Sequence, residues 1–151
     1  MFTDIVGYTT LMQQDEDNAV KTIERHRSVL EKYTQKSHGN ILQYYGDGSL
    51  SIFPSAFKAV ECALKVQKEL TKDPEVPLRI GIHLGDVKIQ GESAFGDGVN
   101  IASRIQSLGI GGSILISDTI YHIVRNQPDI NTVPLGNFVL KMWTILCRYS
   151  H

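Results

Sequence analysis

Apolar residues alternate with other residues along Leu78-Arg79-Ile80-Gly81-Ile82-His83-Leu84. That two-residue period predicts a half-buried strand over 78–84. A longer period governs residues 15–37. There Ala19, Val20, Ile23, Val29, Leu30 and Tyr33 recur at roughly 3.6-residue spacing. Lys21, Glu24, Arg25, Arg27, Glu31 and Lys32 fall mostly on the outer face. Asp15 or Asp17 is placed to cap this helix. His38-Gly39 is placed to close it, glycine being the usual residue just past a helix. A second long helix follows Pro54 and runs over about 55–71, with Ala56, Ala59, Val60, Ala63, Leu64, Val66 and Leu70 on its apolar stripe. Between the helices, residues 40–53 read as two short apolar strands joined by a tight Gly46-Asp47-Gly48 turn.

The remaining elements are shorter. A strand is expected over 2–6, a turn or two of helix over 8–13, and a strand over 87–90. A loop with Gly91, Gly96 and Gly98 leads into a helix over about 99–108, which the glycines of 109–112 end. A strand over 113–117, a helix capped by Asp118 and one or two strands within 130–140 complete the chain. The order strand, helix, strand, strand, helix, strand predicts an α+β fold with a ferredoxin-like βαββαβ core and additional strands and helices. On that plan the first two strands run parallel through a right-handed crossover. The strand after the hairpin inserts antiparallel between them. The end of the first strand and the hairpin tip then share one edge of the sheet, and Asp4 and Asp47 are expected to meet there.

Two carboxylates forced together repel, and one takes up a proton unless a cation lies between them. Hard oxygen ligands suit Mg²⁺ or Mn²⁺, with phosphates completing the shell. Each aspartate also has a simpler reading on its own: Asp47 suits a Gly-Asp-Gly turn, and Asp4 is placed to cap the next helix. On the helix after Gly98, Val99, Ala102 and Ile105 face the core, while Asn100 and Arg104 are i, i+4 neighbours on the other side. An amide and a guanidinium at that spacing suit one anionic ligand. The alternative is an ordinary exposed polar face.

Composition removes several classes. The chain has 151 residues, 42% hydrophobic and 21% charged, with a net charge of −1, as in a single globular domain spanning 1–151. No basic tract exists, so nucleic acid is not the expected partner. No apolar run approaches the roughly 20 residues of a membrane span, and no signal peptide is recognisable. Cys62 and Cys147 lack metal-ligand spacing, which points to a reducing, cytoplasmic setting. His26, His38 and His122 are scattered, and His83 is expected as a packed or hydrogen-bonded histidine. Both ends read as cut: little strand precedes Asp4, and 141–151 is apolar without alternation. Regulatory domains are expected outside this stretch.

Four motifs occur in order: Phe2-Thr3-Asp4-Ile5-Val6-Gly7-Tyr8-Thr9, Tyr45-Gly46-Asp47-Gly48, Arg79-Ile80-Gly81-Ile82-His83-Leu84-Gly85, and Phe95-Gly96-Asp97-Gly98-Val99-Asn100-Ile101-Ala102-Ser103-Arg104. Together they resemble the catalytic domain of class III adenylyl/guanylyl cyclases, over nearly the whole chain up to about Lys141. The resemblance implies that Asp4, Asp47 and the carbonyl of Ile5 hold two Mg²⁺ or Mn²⁺. It implies that Asn100 orients the ribose, that Arg104 counters charge on the phosphate, and that Lys141 contacts the triphosphate. It implies a head-to-tail homodimer with shared sites, in which a nucleoside triphosphate becomes a cyclic nucleotide and pyrophosphate.

Two departures bear on this. The family reads adenine with a lysine and an aspartate; Gln43 and Ser93 stand at those positions. Either can donate or accept, so each suits either base. A small hydroxyl residue also occurs there in some bacterial adenylyl members, so ATP is favoured over GTP. After Lys141 the family's glycine turn, proline and closing strand are not recognisable in Met142-Trp143-Thr144-Ile145-Leu146. The rival readings are a nucleotide-binding signalling module without turnover, and an RNA-binding ferredoxin-like module, which would need a basic face and exposed aromatic pairs.

Overall fold

The computed structural model describes residues 1–137 and the backbone pairing of 145–149. In chain order the elements are β1 (Phe2–Ile5), α1 (Tyr8–Gln14), α2 (Glu16–Lys36), β2 (Asn40–Tyr45), β3 (Gly48–Ile52), α3 (Ala56–Leu70), β4 (Leu78–Ile82), β5 (Lys88–Gln90), β6 (Ser93–Phe95), α4 (Asp97–Ser107), β7 (Ile114–Ser117), α5 (Asp118–Val124), β8 (Thr132–Pro134) and β9 (Ile145–Tyr149). Among the described residues, seven strands form one sheet in the order β2-β3-β1-β4-β7-β9-β8. β3 lies antiparallel between β2 and β1, as the ferredoxin-like plan requires. β4 is antiparallel to β1 and parallel to β7.

Helix boundaries follow local chemistry. Asp15 caps α2, its Oδ1 accepting from the Asn18 amide at 3.1 Å. The other end differs from expectation. Ser37 is the C-cap, and His38, not Gly39, takes the left-handed conformation with φ 58°. The amide of His38 donates to Gln35 O and that of Gly39 to Thr34 O, which together satisfy the last carbonyls of the helix. Gly39 serves a different purpose: a Cβ there would lie 2.6 Å from the Phe53 ring. At α5 the cap position is Ser117 rather than Asp118. Asp118 sits in the first turn and faces His122 Nε2 at 3.3 Å.

The sheet has two differently used faces. Leu78, Ile80 and Ile82 of β4, with Ile114 and Ile116 of β7, pack against α2, α3 and α5 in the main core. Fully burying each such side chain is worth about 1.5–3 kcal/mol. The opposite face of β4 carries Arg79 and Gly81, and α4 lies across it. A Cβ on Gly81 would come within 2.5 Å of Ala102 O and the Gln106 amide nitrogen. The glycine of the alternating 78–84 motif therefore lets a helix rest directly on the strand backbone.

Two strands lie where sequence alone pointed to none. β6 pairs with β5 in a small separate ribbon, inside what reads as a glycine loop. β9 pairs with both β7 and β8. Its partners are remote in sequence, and pairing rather than local pattern makes it a strand.

Candidate active site

The β2–β3 connection is as tight as the sequence indicates. Tyr45 pairs with Gly48, and Gly46 turns the chain with φ 61°, a conformation glycine adopts at low cost. Gly48 lies against β1: a Cβ there would be 2.7 Å from Thr3 O and 3.7 Å from Asp4 Oδ1. This close approach brings Asp47 to the end of β1. Its Oδ2 accepts from the Ile5 amide at 3.3 Å. Burial, then a hydrogen bond with Asp4 and its charge, push the Asp47 carboxyl up to about 6. Asp4 and Asp47 thus meet although they are distant in sequence. Asp4 does not cap α1, whose N-cap is Gly7 with no side-chain hydrogen bond.

This donor set fits a hard divalent cation. The pair resists double ionisation, as two close carboxylates do when no cation separates them. Among the described residues no group of three or more His, Cys, Asp or Glu side chains gathers at one point. Two carboxylates, with the rest of the shell left to other oxygen donors, suit ions that keep positions for water and phosphate.

Arg79 is a site residue that the alternating pattern alone did not single out. It stands opposite Asp4 on β4. Its Nη2 and Nε both donate to Asp4 Oδ2, at 2.7 and 3.2 Å, and Nη1 donates to Ser107 O at 3.4 Å. The available signal was parity: Arg79 and Gly81 share a face, and Gly81 is where α4 lands. Beneath the pair lies a buried polar cluster that sequence reasoning also missed. Thr3 Oγ1 meets Ser49 Oγ at 2.6 Å and His26 Nε2 at 3.4 Å. Burial and the charge of Arg27 push His26 down to about 4, with Asp4 opposing. His26 is therefore neutral near pH 7.

Asn100 and Arg104 project from the exposed side of α4, opposite the face formed by Val99, Ala102 and Ile105. Among the described residues no hydrogen bond or ion pair engages either side chain, and none joins them to Asp4 or Asp47. Asn100 and Arg104 thus face outward from α4 with no bond to the aspartate pair of their own chain among the described residues.

Gln43 follows a β-bulge between Ile41 and Gln43. Leu42 packs toward Leu50, Ala94 and Val99, while Tyr44 reaches α2 on the other face, its hydroxyl donating to Glu31 Oε1 at 2.9 Å. Gln43 pairs with Leu50, Leu50 with Phe2, and Phe2 with Gly81. Residues opposed in this way share a face, so Gln43 stands half-buried on the α4 side of the sheet. Ser93 opens β6 and is exposed, and β6 lies against β2. Lys141 lies outside the described residues. His83 is hydrogen-bonded as expected, with Nδ1 2.9 Å from Ser117 Oγ.

No helix among the described residues is long and apolar enough to cross a membrane. Comparison with known proteins gives the family. A family profile described as adenylate and guanylate cyclase catalytic domain matches residues 1–146. A putative adenylate cyclase 3 of Rhizobium meliloti is 38% identical over 146 residues, covering 91% of this chain and 25% of the relative. A solved adenylate/guanylate cyclase/hydrolase from Silicibacter pomeroyi superimposes with TM-score 0.81 at 28% identity, covering 97% of this chain and 90% of that one. An adenylate cyclase structure from Trypanosoma brucei shares the fold at TM-score 0.86 and 19% identity, covering 98% of this chain and 84% of that one. The chain spans between 25% and 50% of the length of the first curated relatives it matches. With the profile match running almost from end to end, the chain belongs to the adenylate and guanylate cyclase catalytic domain family.

Proposed function

We propose that this domain converts ATP to cyclic AMP and pyrophosphate for intracellular signalling, in a homodimer whose two sites are shared. The observation that carries the reading is the meeting of Asp4 and Asp47 at the β1 end. Asp4, Asp47 and the Ile5 carbonyl would hold two Mg²⁺ or Mn²⁺, which when bound neutralise phosphate charge and favour the alkoxide form of the attacking hydroxyl. The ribose 3′-hydroxyl gives up its proton to solvent, its oxygen attacks the α-phosphorus to form a new P–O bond, and the bond to the bridging oxygen breaks with release of pyrophosphate. Arg104 counters the charge that builds on the α-phosphoryl oxygens. Asn100 fixes the ribose so that the 3′-oxygen lies in line. Lys141 contacts the triphosphate. The outward-facing Asn100 and Arg104, with no bond to the aspartate pair of their own chain among the described residues, support a site completed by a second copy. The buried, unpaired thiol of Cys62 fits a cytoplasmic setting.

Base choice rests on Gln43 and Ser93. The name of the Rhizobium relative favours ATP, and the amide of Gln43 also suits a guanine edge. Product analysis with ATP and GTP side by side, in Mn²⁺, tests the reading. Cyclic AMP is expected as the main product, and Gln43→Lys is expected to raise the ATP:GTP ratio. Cyclic GMP as the main product would reassign the substrate. Bound nucleotide without either product would leave a signalling module.

A further inference from the structure

Two consecutive residues of α2 reach the strand that carries Asp4 and the turn that carries Asp47. His26 is fully buried and meets Thr3, which precedes Asp4. Thr3 in turn is joined to Ser49, which follows the Asp47-Gly48 turn, at 2.6 Å. Thr3 and Ser49 are themselves fully buried. Valine or alanine would fill such interior positions without needing partners, so a hydroxyl pair here calls for a purpose beyond packing. Arg27 acts at the turn itself. Its Nη2 donates to Gly46 O at 3.4 Å, and its guanidinium lies 4.6 Å from the centre of the Tyr44 ring. Tyr44 is held from the same helix by Glu31.

Each contact fixes a different degree of freedom. The Thr3–Ser49 link resists sliding of β1 past β3, at the register where the backbone already pairs Thr3 with Ser49. Arg27 sets how far the turn tilts away from β1. Slide and tilt together determine the separation of the Asp4 and Asp47 carboxylates. We propose that α2, through His26 and Arg27, holds the aspartate pair at metal-binding spacing, with Thr3 and Ser49 as the buried link. These are positioning residues, because none reaches the carboxylates directly. The proposal rests on the metal reading of Asp4 and Asp47.

Groups that orient metal ligands from behind typically cost 10–100-fold in metal affinity when removed. The test titrates the intact protein with Mn²⁺ alone and follows free Mn²⁺ by electron paramagnetic resonance. Arg27→Met and Thr3→Val are each expected to weaken Mn²⁺ binding about tenfold, and Thr3→Ser to restore it. Asp47→Ala is the reference for loss of a ligand. Thermal denaturation of every variant accompanies the titration. Arg27 lies at the half-buried rim, so Arg27→Met decides the matter even where Thr3→Val fails to fold. Binding within about twofold of wild type in Arg27→Met, with binding lost in Asp47→Ala, would overturn the positioning role while leaving the metal site in place. Unchanged binding in Asp47→Ala removes the metal assignment, and the positioning role with it.

Discussion

Arg79 sets both Nη2 and Nε on one oxygen of Asp4, Oδ2, at 2.7 and 3.2 Å. The two side chains are about a quarter exposed, so the pair is only partly screened. Its guanidinium offsets the charge of Asp4 next to a second carboxylate that already resists ionisation. Arg79→Met leaves the two acids facing each other without that cation. Hydrogen bonds to charged groups are worth about 1.5–3 kcal/mol, and partial exposure reduces this to about 1–2 kcal/mol. The melting temperature in chelator is expected to fall accordingly. Added Mn²⁺ is expected to recover part of the loss, since a bound ion replaces the missing positive charge. An equal loss with and without Mn²⁺ would separate Arg79 from the metal site.

Gly81 tests how α4 is seated. A Cβ at this position meets the backbone of α4 at 2.5 Å, at Ala102 O and the Gln106 nitrogen. Neither is the far end of a flexible side chain, so the helix itself has to shift. Gly81→Ala is expected to destabilise the domain by about 1–3 kcal/mol, the range for overpacking, as read from the urea midpoint. Because α4 carries Asn100 and Arg104, turnover is expected to fall further than stability alone accounts for. Wild-type stability in this variant would mean that the helix is not held against the strand.

The sequence reading was strongest where local pattern and topology agree. The long helices showed their 3.6-residue stripes, and the Gly-Asp-Gly turn and the split βαβ order together brought Asp4 to Asp47. Legibility failed where a contact depends on register between remote strands. Arg79 finds Asp4 because β4 pairs with β1 at that register, and no local pattern encodes it. His26 lies within a charged stretch, Glu24-Arg25-His26-Arg27, and no spacing there singles it out. Its burial follows from Thr3 and Ser49 arriving beneath it. β9 was missed for the same reason: its partners β7 and β8 lie elsewhere in the chain. The His38 cap was misread because glycine is the commoner left-handed residue, and here Gly39 is needed against Phe53 instead.

Burial of His26 has a pH signature. Its folded-state pKa is lowered to about 4, chiefly by burial and then by Arg27. In the unfolded chain a histidine titrates near about 6.5. Between those values the unfolded state binds more protons, so stability falls as pH drops from about 6.5 toward 4. The loss attributable to this residue is about 3 kcal/mol at 1.36 kcal/mol per pKa unit. His26→Gln keeps a neutral polar side chain and cannot take up the proton. Urea unfolding at pH 7, 5 and 4 is expected to show a flatter acid slope in this variant than in wild type, at the cost of some stability at pH 7. Identical slopes would place the proton uptake elsewhere.

Asn100 and Arg104 face outward from α4 with no bond to Asp4 or Asp47 among the described residues, and the proposed shared site is open to a complementation test. If one chain supplies the carboxylates and its partner the amide and guanidinium, Asp47→Ala and Arg104→Ala each disable both sites of their own homodimer. Each is expected to lose at least about a hundredfold in turnover, the scale on which a missing charge-stabilising group acts. A mixed dimer differs. The Arg104→Ala chain brings an intact Asp47, and the Asp47→Ala chain brings an intact Arg104, so one of the two sites is complete. Random pairing makes half of the dimers mixed, each with one working site, so the mixture is expected to recover about a quarter of wild-type activity. Mixing before and after dimers exchange, followed by cyclic nucleotide formation, gives the measurement. A mixture as inactive as its parts would mean that each site is built within one chain, with Arg104 acting on its own subunit's nucleotide.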